Sequence, residues 1–300
     1  MPLTSMKKIL QKASKEGYAV GSFNAFNLES VQAVISAAEE LNSPAIIAVT
    51  PSAAKYAGMQ NLASIILPMI KNSKAGIALH LDHGKTVQDC AEALKFGFNS
   101  VMIDASSFSL KENISVTKKV VLLARKKKAA VEAELGMLGK IGEGIALTDP
   151  IQAREFVQKT KVGSLAVAVG TSHGAYKFEG NPKIDLERIK EIKKETNIPL
   201  VLHGASSVPQ ELIEKAQKYG AAFENAIGVP EETIKKAISF GIAKINIDTD
   251  LRLAFAASIR EFLAENPKEF DPRKILSPAR EAVKEQVKQK IKLFGSESKV

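Results

Sequence analysis

Eight short apolar runs recur along the chain, and amphipathic segments separate them. Each run is rich in β-branched residues, and several are too continuously apolar to have one face in water, which is typical of parallel strands covered on both sides. The runs cover residues 18–24, 44–50, 76–82, 99–104, 129–135, 164–170, 198–204 and 242–248.

The segments between the runs carry the signals of helices. "NLESVQAVISAAEELN" begins at Asn27, a good N-cap, has apolar residues at spacings of three and four, and ends before Pro44. "VPQELIEKAQKYG" and "VPEETIKKAISFG" each open with a proline near the first turn and close on a glycine. Because strand and helix alternate eight times, the pattern predicts an α/β fold, specifically a closed (β/α)8 TIM barrel.

Domain organisation follows from the absence of any long Gly/Ser linker. We expect residues 1–300 to form a single (β/α)8 domain, in which residues 251–300 supply the eighth helix and a C-terminal helical extension.

Composition and charge narrow the function. One cysteine and an N-terminus without an apolar signal core predict a cytoplasmic protein, and no run approaches the ~18 apolar residues of a membrane span. The net charge is +9, and the lysines in "KKK" (126–128) and "KEQVKQKIK" (284–292) are interpreted as solvated helix faces. The remaining positive charge favours an anionic small substrate over nucleic acid, since aromatic residues are only 6% and tryptophan is absent.

Polar residues crowd the carboxyl ends of the predicted strands, where barrels of this kind build their active sites. The residues at these ends are Asn24, Thr50, Asp82, His83, Asp104, Glu132, Glu134, His173, His203, Asn246, Asp248 and Thr249.

All four histidines of the chain fall at strand ends. His83, His173 and His203 follow three different strands, so their imidazoles can converge on one divalent ion and leave a coordination position for substrate. His80 shares a strand face with Asp82 and is expected to orient ligands rather than to bind the ion.

Five ordered motifs carry a family resemblance: "HLDHG", "EAELG", "AVGTSHGAYK", "VLHGASSVP" and "KINIDTDLR". With them the chain resembles the class II, metal-dependent ketose-bisphosphate aldolases, specifically the fructose-bisphosphate aldolase family. The likeness runs from "GSFNAFNLE" near the start to "KIKLFGS" near the end.

The resemblance implies a reversible aldol cleavage of fructose 1,6-bisphosphate to dihydroxyacetone phosphate and glyceraldehyde 3-phosphate, in glycolysis and gluconeogenesis. It implies that His83, His173 and His203 hold a catalytic zinc that polarises the ketone, and that Asp82 is the acid/base at the C4 hydroxyl. Asp104 and Glu134 match acidic positions for a second or alternative metal. The implied substrate-binding residues are Asn24, Thr50, Gly174, Gly204, Ala205, Ser206, Asn246, Ile247, Asp248 and Thr249.

Two arginines are candidates for the far phosphate. Arg252 lies in "DLR" and Arg273 in "DPR", and the family commonly supplies one such arginine across a subunit interface. Surface ion pairing is the alternative interpretation. The resemblance further implies a homodimer or homotetramer, and it leaves open whether a monovalent cation assists.

The chemistry agrees with the residues themselves. Cleaving a carbon–carbon bond beside a ketone needs an electron sink, which a divalent metal supplies as a Lewis acid. An imine mechanism through Lys244 on the eighth strand stays open from the strand pattern alone. Three further functions remain as alternatives: tagatose 1,6-bisphosphate cleavage, a barrel metallohydrolase, and nucleic-acid binding through the basic surface.

The sequence departs from the family after "EAELG". The connection "MLGKIGEGIALTDP" is about seven residues shorter than the glycine-rich loop expected there. Glu143 is the nearest candidate for the acidic residue of that loop.

Overall fold

Eight parallel strands form a closed barrel in chain order, with β8 pairing back to β1. The computed structural model describes residues 3–136, 146–171, 184–207, 209–222 and 228–300. The strands are β1 (Val20–Asn24), β2 (Ala45–Val49), β3 (Ile77–Gly84), β4 (Ser100–Ile103), β5 (Ala130–Leu135), β6 (Ser164–Val167), β7 (Leu200–Leu202) and β8 (Ile242–Ile247).

Helices surround the barrel, and the first of them precedes β1. They are α1 (Met6–Glu16), α2 (Leu28–Glu40), α3 (Pro51–Ala57), α4 (Met59–Asn72), α5 (Val87–Lys95), α6 (Leu110–Lys126), α7 (Pro150–Thr160), α8 (Leu186–Thr196), α9 (Gln210–Lys218), α10 (Glu231–Ser239), α11 (Thr249–Glu265) and α12 (Pro272–Leu293). The predicted (β/α)8 barrel with a C-terminal helical extension is confirmed. The assignment of residues 1–300 to one domain stays a prediction.

Helices that connect one strand to the next make the strands parallel and cover the outer face of the sheet. All five residues of β1 and all five of β2 are buried, because one face points into the barrel and the other packs against helices. The ring closes where Val20 of β1 lies beside Lys244 of β8. A closed ring places the carboxyl ends of all eight strands at one end of the molecule.

Local capping fixes where helices begin after the strands. Asn27 accepts a hydrogen bond from the Ser30 amide and forms a capping box, which confirms the predicted start of α2. Thr86 and Ser109 form the same arrangement at the starts of α5 and α6. Short connections between strand and helix therefore hold the strand-end residues in place.

The amino-terminal end of the barrel is covered by α1. Met6, Leu10 and Ala13 lie on one face of this helix and pack against Val20 and Ile46 at the strand starts. Their spacing matches an amphipathic helix.

The C-terminal helix α12 packs against α2 and α11. Lys284 and Lys288 pair with Glu40 of α2 at 3.0 and 3.1 Å. Lys290 is 2% exposed and pairs with Asp250, so the interpretation of this lysine run as a solvated face is wrong at Lys290. The reason is that α12 packs against α2, α11 and β1 and buries one stripe of its surface, which includes Lys290. Among the described residues, no helix is both long and apolar enough to cross a membrane.

Candidate active site

The end of β3 brings Asp82 and His83 to the carboxyl end of the barrel. His80 and Asp82 point inward by strand alternation, and the register with β4 shifts between Leu81 and Gly84. His83 adopts a left-handed backbone with φ of +52°. A side chain at Gly84 would lie 2.7 Å from the Met102 carbonyl oxygen, so glycine permits this close approach to β4. The irregular strand end thus turns the His83 ring toward its neighbours.

Two asparagine amides hold the Asp82 carboxylate. Asn24 of β1 donates to Oδ2 at 3.1 Å, and Asn246 of β8 donates to Oδ1 at 2.8 Å. Burial alone would raise the pKa of Asp82, but the imidazoles of His83 and His203 outweigh it and hold the pKa below its ordinary value. Asp82 is therefore a fixed, negatively charged base in the barrel mouth.

His83 and His203 face each other beside Asp82. His203 Nδ1 lies 2.8 Å from His83 Nε2. The outer nitrogens face carboxylates: His203 Nε2 is 3.0 Å from Glu132 Oε1, and His83 Nδ1 is 3.3 Å from Asp104 Oδ2. When each outer nitrogen donates to its carboxylate, both inner nitrogens present lone pairs to each other. A positive charge between the two rings is needed to relieve that repulsion.

The pKa values of the two rings agree with this arrangement. Burial alone would lower the pKa of His83, but Asp82, Asp104 and Glu134 outweigh it and raise the pKa to about 9. Burial and the neighbouring His83 lower the pKa of His203. One proton on His83 then bridges the pair at neutral pH, in the position where a cation would also be stabilised.

Two carboxylates flank His83 on its other side. The pKa of Asp104 lies below its ordinary value because His83, Lys85 and Ser106 outweigh its burial, and Lys85 forms an ion pair with it. Glu134 lies 3.8 Å from His83 Nδ1, and burial with the nearby Asp104 raises its pKa to about 8. Glu134 Oε2 is buried with no hydrogen-bond partner among the described residues.

A buried polar layer lies directly beneath these groups. Glu132 of β5 pairs with Lys244 of β8 at 3.0 Å, and both side chains are 0% exposed. His80 Nδ1 lies 2.8 Å from the Ser100 hydroxyl and its Nε2 lies 3.5 Å from Lys244 Nζ. Burial would raise the pKa of Glu132, but Lys244 and His203 lower it to about 2.

The sequence pattern assigns Glu132 no role and offers Lys244 only as a candidate for an imine. Strand alternation could have found both, since Glu132 shares an inward face with Glu134, and Lys244 shares one with Asn246. In the structure Lys244 is engaged by the Glu132 carboxylate beneath the site.

The loops after β7 and β8 lie side by side at the same end of the barrel. Gly204 has φ of +63°, and Ala205 and Ser206 are buried. The predicted run Asn246 to Thr249 ends β8 and begins α11, with Asp248 at the N-cap position. Arg252 pairs with Asp248 at 2.7 Å, so it lies near the loops, although this ion pair also fits the surface interpretation.

The loop after β7 is anchored by a group that the sequence analysis missed. Asp250 of α11 accepts from the Ser207 amide at 3.2 Å and pairs with Lys290 of α12 at 2.9 Å, while Lys290 also contacts the Ser207 hydroxyl. Since Lys290 is forty residues beyond Asp250 in the chain, only the packing of α12 brings them together.

Two of the predicted substrate-binding residues are engaged elsewhere. The Thr50 hydroxyl accepts from the Ala53 amide at the start of α3 and lies 2.9 Å from the Ser52 hydroxyl. Arg273 is 90% exposed at the start of α12, where it pairs with Asp271. His173, Gly174 and Glu143 lie outside the described residues.

The described residues fit a divalent cation. Asp82, His83 and His203 each offer one ligand atom, and so do His83, Asp104 and Glu134, with the atoms of each group within 4.8 Å of one another. Imidazole and carboxylate ligands suit zinc and similar ions, and outer-nitrogen hydrogen bonds to carboxylates are the usual way in which metal-binding histidines are oriented.

The fold and the site define a (β/α)8 barrel with a candidate metal centre at the carboxyl end of its strands. Residues 4–299 match the family model described as fructose-bisphosphate aldolase class-II. The chain belongs to the class II fructose-bisphosphate aldolase family, whose members are metal-dependent.

Relatives support the match over nearly the whole chain. The fructose-bisphosphate aldolase of Thermus caldophilus is 51% identical over 296 residues, which cover 96% of this chain and 97% of the relative. That of Helicobacter pylori is 44% identical over 306 residues, covering 99% and 100%. The solved structure of the YdjI aldolase from Escherichia coli K12 superposes with a TM-score of 0.83 at 34% identity, covering 99% of both chains.

Proposed function

We propose that Asp82 is the acid/base of an aldol cleavage at this site, with His83, His173 and His203 holding a zinc ion beside it. The chain catalyses the reversible cleavage of fructose 1,6-bisphosphate to dihydroxyacetone phosphate and glyceraldehyde 3-phosphate, a reaction of glycolysis and gluconeogenesis. The observation that carries the residue roles is the pair of inner imidazole nitrogens 2.8 Å apart beside the buried Asp82 carboxylate.

The metal would be held by the inner nitrogens of His83 and His203, with His173 as the third ligand. When bound, a divalent ion supplies Lewis acidity to the ketone oxygen of the substrate. Glu132 and Asp104 accept the outer N–H groups and so direct the inner nitrogens toward the ligand position, where a bound metal would replace the proton between them.

Asp82 moves the proton. In cleavage its carboxylate accepts the proton of the C4 hydroxyl, the aldehyde carbonyl forms, and the C3–C4 electron pair passes to the ketone half of the substrate as an enediolate. The enediolate then takes a proton at C3 from the loop acid, for which Glu143 is the candidate, and gives dihydroxyacetone phosphate. In condensation the same carboxyl returns that proton to the aldehyde oxygen. Asn24 and Asn246 each donate to one carboxylate oxygen, which fixes the orientation of Asp82 for both directions.

The substrate phosphates would be bound by the loops beyond the metal ligands. Gly204, Ala205 and Ser206 present main-chain N–H groups and a hydroxyl after β7, and the start of α11 lies beside them. Arg252 is the candidate of this chain for the far phosphate. Arg273, being on the surface, would serve that role only for a neighbouring subunit.

Asp104 and Glu134 are proposed for a second or alternative divalent position next to His83, which agrees with the buried Glu134 oxygen that lacks a partner among the described residues. Glu143 is proposed as the acidic residue of the shortened loop. A monovalent cation near the phosphate loops stays a prediction, to be tested by activity in sodium against potassium buffers.

Assembly and location are proposed in the same way. We infer a homodimer or homotetramer from the family resemblance, and the exposed Arg273 side chain is available to a neighbouring subunit. We infer a cytoplasmic location because the single cysteine, Cys90, is buried and free. Sedimentation of the purified protein, with and without an Arg273→Ala substitution, tests the proposed homodimer or homotetramer.

The test of the substrate is a comparison of two sugars. Cleavage of fructose 1,6-bisphosphate and of tagatose 1,6-bisphosphate is measured by coupled assay on the metal-loaded protein. We expect the fructose sugar to be turned over with the higher kcat/KM. Equal or better turnover of the tagatose sugar would overturn the substrate assignment, since the two differ only at C4, where Asp82 acts.

A further inference from the structure

A second cavity lies at the amino-terminal end of the barrel, opposite Asp82. Its volume is about 600 Å³, within the range of small-molecule sites. Its walls come from α1, from the C-terminal ends of α6, α7 and α8, and from the residues that begin β5 and precede β7. Nothing in the aldol reaction uses this end of the barrel.

The cavity is strongly cationic. Of the described residues, five basic side chains and no carboxylate line it. We call it the basic cavity, defined by Lys7, Lys15, Arg125, Lys161 and Lys193. Within the described part of the chain, none of the five forms an ion pair. Elsewhere many lysines do, as Lys284 and Lys288 do with Glu40. The charges of the basic cavity are therefore uncompensated by protein.

Lys193 is the most buried of the five. Its ammonium donates to the Ser14 hydroxyl at 2.7 Å and to the Ile198 carbonyl at 3.0 Å, both neutral acceptors. Burial lowers the pKa of Lys193, and no nearby carboxylate opposes the shift. An ammonium partly removed from water without a counter-ion is stabilised by a bound anion.

Helix ends explain part of this placement. Lys15, Arg125 and Lys193 lie in the last turns of α1, α6 and α8, where cations favour the helix dipole. Lys7 lies in the first turn of α1, where the dipole disfavours a cation. The dipoles therefore do not account for the convergence of all five charges on one cavity.

The floor of the basic cavity is apolar. Val131 and Val162 are each 5% exposed, and Ile198 and Pro199 continue the same surface. Gln11 and Asn197 offer amide groups at the edge. Such a floor suits a flat ring, while the cations suit phosphate groups. We propose that the basic cavity binds a nucleoside di- or triphosphate, with its phosphates among the five cations and its base on the apolar floor.

Calorimetric titration with ATP in excess magnesium tests the proposal. The full-length metal-loaded protein is used, with its aldolase site saturated by dihydroxyacetone phosphate so that ATP cannot be held there. We expect one equivalent of ATP to bind, with adenosine and tripolyphosphate binding more weakly. Absence of binding would overturn the site, and tripolyphosphate binding as tightly as ATP would overturn the nucleoside part.

Paired variants locate the binding. Lys7→Ala/Lys161→Ala removes two charges from the basic cavity, and Lys236→Ala/Lys268→Ala removes two exposed charges elsewhere. Only Lys7→Ala/Lys161→Ala would lose charge-assisted hydrogen bonds to the ATP phosphates. We therefore expect the ATP affinity of this variant to fall by at least about tenfold, and that of Lys236→Ala/Lys268→Ala to stay unchanged. Aldol cleavage should be normal in both. An equal loss of ATP affinity in the two double variants would contradict the proposal, because it would show that ATP responds to the overall positive charge of the surface.

Discussion

Asp82 combines a buried position with a fixed negative charge. The two asparagines that hold it come from β1 and β8, the first and last strands of the barrel. Asp82→Asn keeps the size of the side chain and removes its ability to accept a proton. We expect kcat to fall by about 10²- to 10⁴-fold, as for loss of a general base. Metal content, measured by emission spectroscopy, should stay near that of the parent protein.

The matched comparison for Asp82 is His203→Ala. Because His203 is a proposed ligand, this variant should lose metal as well as activity. If Asp82→Asn retained near-normal turnover, the proton role would be wrong. If His203→Ala kept its full metal content, the ligand assignment would be wrong instead.

Glu132 would act on the proposed metal through His203, whose Nε2 it contacts, and not as a ligand itself. Glu132→Gln removes the charged acceptor of the Nε2–H group, so the inner nitrogen is less firmly kept as a ligand. We expect zinc affinity, measured by chelator competition, to weaken by about 10- to 100-fold. Nitrogen chemical shifts of the His203 ring should report a mixture of tautomers in place of one.

A double variant separates this effect from the loss of charge balance. Lys244→Met/Glu132→Gln removes both members of the buried pair and leaves no unbalanced lysine. If Glu132 acts through His203, the double variant keeps the weakened zinc affinity. Recovery of parental affinity in the double variant would show that the unbalanced Lys244 charge was the cause.

At the residue scale, the sequence predicted the histidines and carboxylates that stand at strand ends. Asp82, His83 and His203 do meet in the structure. The signal was strong because all four histidines of the chain fall at strand ends, which is improbable by chance. No positioning role was predicted for Glu132 or Lys244. The two residues pair with each other from β5 and β8. Strand alternation shows that both point inward but does not show which inward-facing residues meet. Arg273 illustrates a second limit, since the role proposed for it in a neighbouring subunit would leave no trace in the fold of one chain.

At the scale of elements, α12 anchors the loop after β7. Lys290→Met removes the ammonium that pairs with the fully buried Asp250. Breaking a buried ion pair typically costs about 3–5 kcal/mol, so we expect a loss of that order in the free energy of unfolding, measured by denaturant titration. The KM for the sugar bisphosphate should rise as well, because Ser207 loses the same contact.

Lys288→Met provides the control on the same helix. Its ammonium is partly exposed and pairs with Glu40 and Glu285 at the surface, so its removal should cost less than about 1 kcal/mol. Equal losses for Lys288→Met and Lys290→Met would contradict the anchoring role and point to a general effect of charge on α12.

The elements themselves were largely predictable. All eight apolar runs are strands, since a strand buried on both faces leaves a continuous apolar signal. β6 and β7 are shorter than their runs, at Ser164–Val167 and Leu200–Leu202. The apolar residues Ala168 and Val169 follow β6 at the barrel mouth, whereas Ile198 and Pro199 precede β7 at the opposite end. The helix α1 was not predicted, although Met6, Leu10 and Ala13 carry the helical spacing.

At the scale of the whole molecule, metal binding should stabilise the folded chain. A ligand present at about 100 times its Kd, with no affinity for the unfolded chain, adds about 2.7 kcal/mol to the free energy of unfolding. We therefore expect chelation to lower Tm by several degrees, and added zinc to restore it, as measured by calorimetry. His203→Ala should show no such response, and a parent Tm indifferent to chelation would contradict the metal site.

The ring of strands has one more implication. Because β8 pairs with β1, the sheet offers no open edge onto which another chain could add a strand. Among the described residues, the surfaces left for contact with a second copy are therefore the outer helices and the loops at the barrel ends. For as long as the ring stays intact, its eight strands cannot add a strand of a neighbour, and a fibre built from these strands would first require a rupture between two of them.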